Sequence, residues 1–153
     1  MASYPITVVS TVTLQSSADK LVKFLGGAST DLKNLLPDVY TQINVRESTN
    51  DYIKRFQLVY ASGFPIVWAE VNIDVIDRVN MISIYHVHIL TNGNAGDFNT
   101  RGTTIRVTEV LRADGNGSKV ERTYEFERAN TDVGPAFFEF EISNLIKLDK
   151  KLA

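Results

Sequence analysis

The sequence predicts an α+β protein in which a curved, seven-stranded antiparallel sheet wraps on a long C-terminal helix. Three observations support this fold class. Seven segments have the alternation or the β-branched, turn-bounded composition of strands. Two short stretches with helical spacing separate the first strand from the other six, and one long amphipathic stretch ends the sequence. An antiparallel sheet usually buries one face, so we expect the last helix to cover that face.

A change of period separates the first strand from the first helix. Residues 4–14 alternate between two faces and are rich in β-branched side chains, which is typical of a strand. Ser16 or Ser17 can then cap a short helix, because a serine hydroxyl accepts a hydrogen bond from the first helical turn. Gly26-Gly27 is expected to end this helix.

A second short helix and six further strands follow. Ser29 or Thr30 can cap the second helix, and Pro37 stops it because proline lacks a backbone N–H. Turn residues then separate six segments with strand composition. Their predicted ranges are 39–47, 52–60, 66–76, 81–90, 97–111 and 119–127. The Ala-Asp-Gly-Asn-Gly run at 113–117 is the strongest hairpin signal in the sequence.

The final helix is predicted over residues 135–152, and one of its sides is apolar. That side is formed by Phe138, Ile142, Leu145, either Leu148 or Asp149, and Leu152. Glu139 and Glu141 fall on opposite sides of the helix, so we expect no pair of carboxylates there. A strongly curved sheet wrapped on one helix leaves space between the two, and pockets favour such seams. The sequence therefore predicts a cavity between the sheet and this helix.

Composition narrows the function classes. The 153 residues predict one domain spanning 1–153, and 16 Lys+Arg against 18 Asp+Glu offer no basic field for nucleic acid. No stretch approaches the roughly 20 apolar residues that a membrane span needs. The absence of cysteine excludes disulfides and thiolate zinc sites. With no signal-peptide pattern at the start, we expect a cytoplasmic protein without nucleic-acid or membrane partners.

Several local runs occur in an order that resembles a known family. They are Ser17-Ala18-Asp19-Lys20, Leu36-Pro37, Gly63-Phe64-Pro65, Asp74-Val75-Ile76-Asp77, Asp114-Gly115-Asn116-Gly117-Ser118 and Tyr124-Glu125-Phe126-Glu127. Together with the order of elements over the whole length, they resemble the plant superfamily of birch-pollen-allergen-like, pathogenesis-related class ten proteins, and most of all its major latex protein branch.

This resemblance implies a helix-grip fold with a large apolar cavity that binds hydrophobic plant metabolites. It also implies that no cofactor is needed, since some relatives catalyse condensation, isomerisation or cyclisation in the cavity without one. The residues expected to contact a ligand are Phe56, Leu58, Trp68, Val87, Ile89, Thr103, Ile105, Phe126, Phe138, Ile142 and Leu145. The candidates for catalysis are Tyr60, Tyr85, Tyr124 and Arg122. The alternative interpretation is that these side chains simply fill a core.

Two of these residues allow opposite interpretations. Strict alternation turns Trp68 outward, whereas the resemblance turns it inward and requires a bulge near Ala69; we expect the bulge, because a fully exposed tryptophan is unusual. Arg122 lies on an otherwise apolar strand face. It is either a cavity cation that orients a carbonyl, enolate or carboxylate, or a residue near the sheet rim that pairs with a carboxylate.

The leading functional hypothesis is a binder of a terpenoid- or alkaloid-type plant metabolite in an internal cavity. The alternative is a cofactor-independent cyclase or isomerase that confines a reactive intermediate in the same cavity. A third interpretation is a protein-binding module that uses the outer sheet face around Ile82, Ile84, His86 and His88. The expected oligomeric state is a monomer or a weak homodimer. A metal site at the two histidines is not expected, because the pattern supplies no third ligand.

Overall fold

The structure is a computed structural model that describes residues 6–62, 66–91, 103–126 and 133–153. The elements in chain order are β1 (Ile6–Leu14), α1 (Ala18–Leu21), a 3₁₀ helix (Val22–Gly27), α2 (Asp31–Leu35), β2 (Tyr40–Ser48), β3 (Ile53–Tyr60), β4 (Ile66–Asp77), β5 (Ile82–Thr91), β6 (Thr103–Asp114), β7 (Gly117–Phe126) and α3 (Val133–Leu152). Predicted strand residues 4–5, 97–102 and 127, and the run 63–65, lie outside the described residues.

All seven strands form one antiparallel sheet, which confirms the predicted fold class. The spatial order is β1-β7-β6-β5-β4-β3-β2, so each strand from β2 to β7 pairs with its neighbour in the chain. The first strand pairs with the last, and β1 and β2 therefore lie at opposite edges of the sheet. The short helices between them connect these two edges.

The first predicted helix is divided in two. Ser17 caps α1, since its Oγ accepts a hydrogen bond from the backbone N–H of Lys20 at 3.3 Å. The chain then continues as a 3₁₀ helix with non-helical geometry at Leu25 (φ −52°, ψ 132°) and at Gly26 (φ 69°, ψ 4°). Glycine adopts a positive φ without steric cost, so Gly26 turns the chain here rather than merely ending a helix.

The register of β4 corrects the placement of Trp68. A bulge is present, but it lies between Ile66 and Trp68, at Val67, which is two residues before the expected position near Ala69. Ile66 and Ala69 are therefore the residues that face the interior, with 2% and 0% of their surface exposed. Trp68 is half-buried on the outer face, opposite Val59 of β3. It does not belong to the residues that face the interior.

The inner side of α3 is also rotated relative to the prediction. The buried positions are Phe137, Phe140, Asn144, Leu145, Leu148 and Asp149, while Phe138 and Ile142 are half-buried at the flank. Apart from Asp149, which was an alternative to Leu148, the prediction placed only apolar residues on this side. Two polar residues, Glu141 and Asn144, line the cavity and so belong to the inner side. The centre of that side therefore lies away from Phe138 and Ile142.

A buried carboxylate attaches the last turns of α3 to the start of α1. Asp149 accepts hydrogen bonds from the backbone N–H groups of Gln15, at 3.0 Å, and Ser16, at 2.8 Å. These N–H groups lie between β1 and α1, so the contact attaches the end of α3 to the β1–α1 junction. Among the described helices, none has the length and apolar character that crossing a bilayer demands.

Candidate functional site

A cavity lies between the short helices, the inner face of the sheet and α3. The volume open to the centre of a water molecule is about 60 Å³. One water molecule needs about 10–15 Å³ of such volume, so the cavity has room for a few waters. It is therefore smaller than the large apolar cavity that the resemblance implies. The lining residues are Leu21, Phe24, Leu25, Gly26, Gly27, Leu32, Leu36, Tyr40, Leu58, Val71, Tyr85, Glu109, Leu111, Val120, Arg122, Glu141, Asn144, Leu145 and Leu148.

Aromatic side chains occupy the interior beside Tyr60. The ring centroids of Tyr40 and Tyr60 are 5.6 Å apart, and those of Tyr60 and Phe140 are 4.9 Å apart in an edge-on arrangement. Such edge contacts are the preferred geometry of aromatic pairs. This part of the interior is thus filled by the protein itself.

The predicted site residues divide into five groups. Those that line the cavity are Leu58, Tyr85, Arg122 and Leu145. Those buried in the core without lining it are Phe56, Tyr60, Val87, Ile89, Ile105, Tyr124 and Phe126. Phe138 and Ile142 are half-buried at the flank of α3, Trp68 lies on the outer face, and the side chain of Thr103 is outside the described part of the structure.

Glu109, which the sequence analysis did not select, is the most fully bonded polar residue of the cavity wall. Its Oε1 accepts hydrogen bonds from the Gly26 N–H at 2.9 Å and the Ser83 hydroxyl at 3.1 Å. Its Oε2 accepts from Arg122 Nε at 2.6 Å. The carboxylate therefore holds the 3₁₀ helix against the sheet while compensating a buried guanidinium.

Arg122 faces the interior, where only 8% of its surface is exposed. Its Nη1 donates to the Tyr124 hydroxyl at 3.3 Å and lies 3.8 Å from Glu141 Oε1. Burial acts to lower the pKa of Arg122, but Tyr124 and the carboxylate of Glu109 outweigh burial and raise it. The pairing with a carboxylate is confirmed, whereas the location near the sheet rim is wrong.

Glu141 projects from α3 toward two tyrosines on the sheet. Its Oε1 accepts from the hydroxyls of Tyr124, at 3.3 Å, and Tyr85, at 3.4 Å. Tyr85 and Tyr124 both oppose Val107 in the sheet register, so they flank one position of β6 and reach the same carboxylate. Burial raises the pKa of Glu141, although the positive charge of Arg122 acts to lower it.

The tyrosines act here as hydrogen-bond donors rather than as acids. Burial raises the pKa of Tyr85 and Tyr124 well above the ordinary value, so both phenols remain protonated at neutral pH. Tyr60 also has a raised pKa because of burial, and its ring packs in the aromatic group with Tyr40 and Phe140. The structure thus separates Tyr60 from the other two candidates.

Asn144 is a buried polar residue of the cavity wall, with 6% of its surface exposed. Its side-chain oxygen, Oδ1, has no hydrogen-bond partner among the described residues. Buried polar groups are nearly always paired with protein, water or ligand, and an unpaired one costs about 1–3 kcal/mol. The Asn144 oxygen is therefore an acceptor that a water molecule or a ligand in the cavity can pair with.

The three missed residues had a signal in the sequence. Glu109 shares the alternation of Ile105, Val107 and Leu111, which all face inward. Glu141 and Asn144 stand one helical turn before two apolar lining residues, Leu145 and Leu148. The periodicity included all three polar positions, and only their polarity excluded them from the predicted interior.

The two histidines lie on the outer sheet face, opposite the cavity. His86 Nδ1 is 2.5 Å from Asp74 Oδ2, and His88 Nδ1 is 3.3 Å from Thr104 Oγ1. A shallow polar groove beside them is flanked by the Arg46–Glu70 ion pair, whose atoms are 3.1 Å apart. Each of these groups already has a partner.

Comparison with solved structures shows the fold. The structure matches major latex-like protein 151 from Panax ginseng with a TM-score of 0.71 and 13% identity, covering 99% of both chains. It matches Ara h 8.0201 with a TM-score of 0.70 and 14% identity, covering 96% of this chain and 97% of that one. It matches truncated norcoclaurine synthase from Thalictrum flavum with a TM-score of 0.63 and 15% identity, covering 99% and 96%.

No protein-family model matches the sequence, and no curated protein matches it either. The likeness is therefore one of architecture: seven antiparallel strands, short helices after the first strand and a terminal helix across the inner face. The chain has the helix-grip fold shared by the major latex-like, pathogenesis-related class ten and norcoclaurine synthase structures, as the sequence resemblance predicted.

Proposed function

We propose that the protein binds a small, mainly apolar molecule, of the terpenoid or alkaloid type, in the cavity between the sheet and α3. The observation that carries this proposal is the unpartnered Asn144 oxygen in a wall that is otherwise mostly apolar. A ligand site of this kind combines apolar area, which supplies affinity at about 25 cal/mol per Å², with a few polar groups that set orientation.

A ligand larger than a few atoms needs the cavity to widen. The elements best suited to move are α1, the 3₁₀ helix and α2, each no longer than six residues, while the sheet is continuous. The Glu109–Gly26 hydrogen bond is a buried contact that holds this wall closed. Binding would therefore be accompanied by outward displacement of the short helices.

The direct test is mass spectrometry of molecules that copurify with the folded protein, combined with displacement of the neutral fluorophore prodan. Leu145→Phe should narrow the cavity and weaken prodan binding by about tenfold or more, since overpacking costs about 1–3 kcal/mol. Ile146→Phe is the matched control, because Ile146 is 40% exposed on the next position of α3. Equal affinities of the two variants would contradict a site in this cavity.

A second candidate function is a cofactor-independent cyclase or isomerase. It is favoured by the convergence of Tyr85, Tyr124 and Arg122 on the Glu141 carboxylate. One solved fold neighbour is norcoclaurine synthase in complex with dopamine and hydroxybenzaldehyde, which shows that this architecture accommodates such ligands in that protein. The test is the product distribution of a reactive dicarbonyl or iminium compound with protein and with buffer. Arg122→Ala or Tyr→Phe at either tyrosine should restore the distribution of the buffer.

The remaining expectations belong to the same proposal. A metabolite binder of this kind would act in the cytoplasm without nucleic-acid or membrane partners, as a monomer or weak homodimer. Light scattering at two protein concentrations addresses the oligomeric state, and a mass that rises toward twice 17.1 kDa would show the dimer.

A further inference from the structure

The ionisable groups that line the cavity include more acids than bases. Among the lining residues, Glu109 and Glu141 are the acids and Arg122 is the base. With both carboxylates ionised, one guanidinium leaves a net charge of −1 in a buried, mostly apolar space. Charge–charge interactions are strong where water is excluded, so the sign of this charge matters for what can enter.

Arg122 is already paired with carboxylates. Its Nε donates to Glu109 at 2.6 Å, and its Nη1 lies between the Tyr124 hydroxyl and Glu141. An incoming carboxylate or enolate at Arg122 would place a further negative charge close to Glu109 and Glu141. Its attraction to the guanidinium would therefore be offset by repulsion from these carboxylates.

The open hydrogen-bonding capacity has the opposite character. Asn144 Oδ1 is an acceptor without a partner. Asn144 stands three residues after Glu141 on α3, so both side chains project from the same side of the helix into the cavity wall. An amide oxygen beside a carboxylate presents acceptors and negative potential together, and their natural complement is a positively charged donor.

We infer that the ligand carries a protonated amine, which donates to Asn144 Oδ1 and lies beside the Glu141 carboxylate. This inference rests on the proposed function and names the chemical class of its ligand. The apolar part of the ligand would contact Leu25, Leu58 and Leu111. Burial raises the pKa of Glu141, and an ammonium group beside it would favour the ionised carboxylate in the same way as Arg122 does.

Three probes with one carbon skeleton test the inference: 2-phenylethylamine, 2-phenylethanol and phenylacetate. Their dissociation constants are measured at pH 7 by calorimetry and by competition with prodan. We expect the amine to bind about tenfold or more tightly than the alcohol, and phenylacetate to bind most weakly, since close buried charge pairs contribute strongly to affinity. An alcohol or acid that binds as tightly as the amine overturns the inference.

Variants of α3 assign the preference to the proposed groups. Glu141→Gln removes the charge and should reduce the preference of amine over alcohol to about threefold or less. Asn144→Leu removes the acceptor at similar volume and should weaken binding of the amine about tenfold. Glu139→Gln, at an exposed position of the same helix, is the matched control and should change nothing.

The outcomes separate this inference from the proposed function. Prodan binding that Leu145→Phe weakens, together with no amine preference, leaves the cavity site intact and overturns the amine. Absence of binding by prodan and by all three probes overturns both. If one α3 variant fails to give a folded spectrum by circular dichroism, the ranking of the three probes on the unchanged protein still decides the question.

Discussion

Glu109 and Arg122 stand directly opposite each other on β6 and β7, and the Arg122 Nε–Glu109 Oε2 distance is 2.6 Å. Both side chains are buried. A buried pair of this kind contributes little when compared with an apolar pair, because both charges have lost their hydration. Removing one partner is costly, since it leaves the other charge uncompensated.

We therefore predict that Arg122→Met destabilises the protein by about 3–5 kcal/mol in urea unfolding at pH 7. The loss arises because Glu109 keeps its buried charge without the guanidinium. The double variant Glu109→Gln/Arg122→Met should recover more than half of this loss, because it removes both charges.

The matched control for this pair is Arg106→Met. Arg106 and Glu125 are also opposite each other on β6 and β7, but on the outer face at 3.8 Å and partly exposed. Solvent screens such a pair, so the substitution should cost at most about 1 kcal/mol. If the Arg106 and Arg122 variants lost equal stability, the buried pair would have no special cost.

Glu141→Gln is predicted to stabilise the empty protein at neutral pH. The pKa of Glu141 is raised in the folded state by burial, so the folded protein binds this proton more tightly than the unfolded chain does. Stability of the unchanged protein therefore falls as pH rises from the unfolded value, 4.5, through the folded pKa. The variant lacks this loss.

The measurement is urea unfolding of both proteins between pH 4 and pH 8. The groups that act on the carboxyl are Arg122 and Glu109 by charge, and Tyr124 and Tyr85 by hydrogen bonds; all are retained in the variant. We expect the two stability curves to meet near the acid end and to separate as pH rises, with Glu141→Gln above. A variant that is less stable at pH 8 would show that the ionised carboxylate contributes net stability.

Asp149→Asn should detach the end of α3 from the β1–α1 junction. Burial acts to raise the pKa of Asp149, but hydrogen bonds from Gln15 and Ser16 outweigh it and lower the pKa below 3.8. The substitution replaces one acceptor oxygen by an amide donor that faces a backbone N–H. The expected cost is about 1.5–3 kcal/mol at pH 7, the range for hydrogen bonds to charged groups.

The pH dependence of this cost has a fixed sign. Because the folded pKa of Asp149 is depressed, its contribution is complete above the unfolded value of 3.8 and is lost as pH falls through the folded pKa. Acid unfolding of Asp149→Asn should thus lose less stability below pH 4 than the unchanged protein does. Asp31→Asn, at an exposed position 4.0 Å from Lys23, is the control and should follow the unchanged protein.

Local patterns predicted the elements well because each strand repeats every two residues and each turn has its own chemistry. Ser17, one of the two serines expected to cap the first helix, accepts a hydrogen bond from Lys20, and the hairpin signal lies at Asp114–Gly117, where β6 and β7 join. The register of β4 could not be obtained in this way. Strict alternation turns Trp68 outward, as observed, but the position of the bulge, at Val67, depends on the pairing of β4 with β5.

The polar part of the site escaped prediction for a related reason. Glu109 is acceptable inside because it receives hydrogen bonds from Gly26, 83 residues away, and from Arg122 on the next strand. A sequence shows a glutamate at an inward position but not the donors that the fold brings to it. The two alternatives for Arg122 were each correct in part: one predicted its place in the cavity wall, and the other predicted its pairing with a carboxylate.

Alanine substitutions at Gly26 and Gly27 should differ in their cost, because the two glycines have the same backbone conformation but different surroundings. Both have a positive φ, 69° and 68°, so alanine at either position carries the strain of a left-handed backbone, about 1–2 kcal/mol. A Cβ at Gly27 meets nothing within 4 Å, whereas one at Gly26 would lie 2.9 Å from Ile73 Cδ1 in a fully buried side chain. Gly26→Ala must therefore also displace either the Ile73 Cδ1 methyl group within the filled core or the 3₁₀ helix, and displacement of the helix lengthens the Gly26–Glu109 hydrogen bond. We expect Gly26→Ala to cost about 1–3 kcal/mol more than Gly27→Ala in urea unfolding, since overpacking a filled core costs about that much. Equal losses of unfolding free energy in the two variants would mean that the wall of the cavity moves at Gly26 at little cost. The hydrogen bond to Glu109 would then not hold this wall closed.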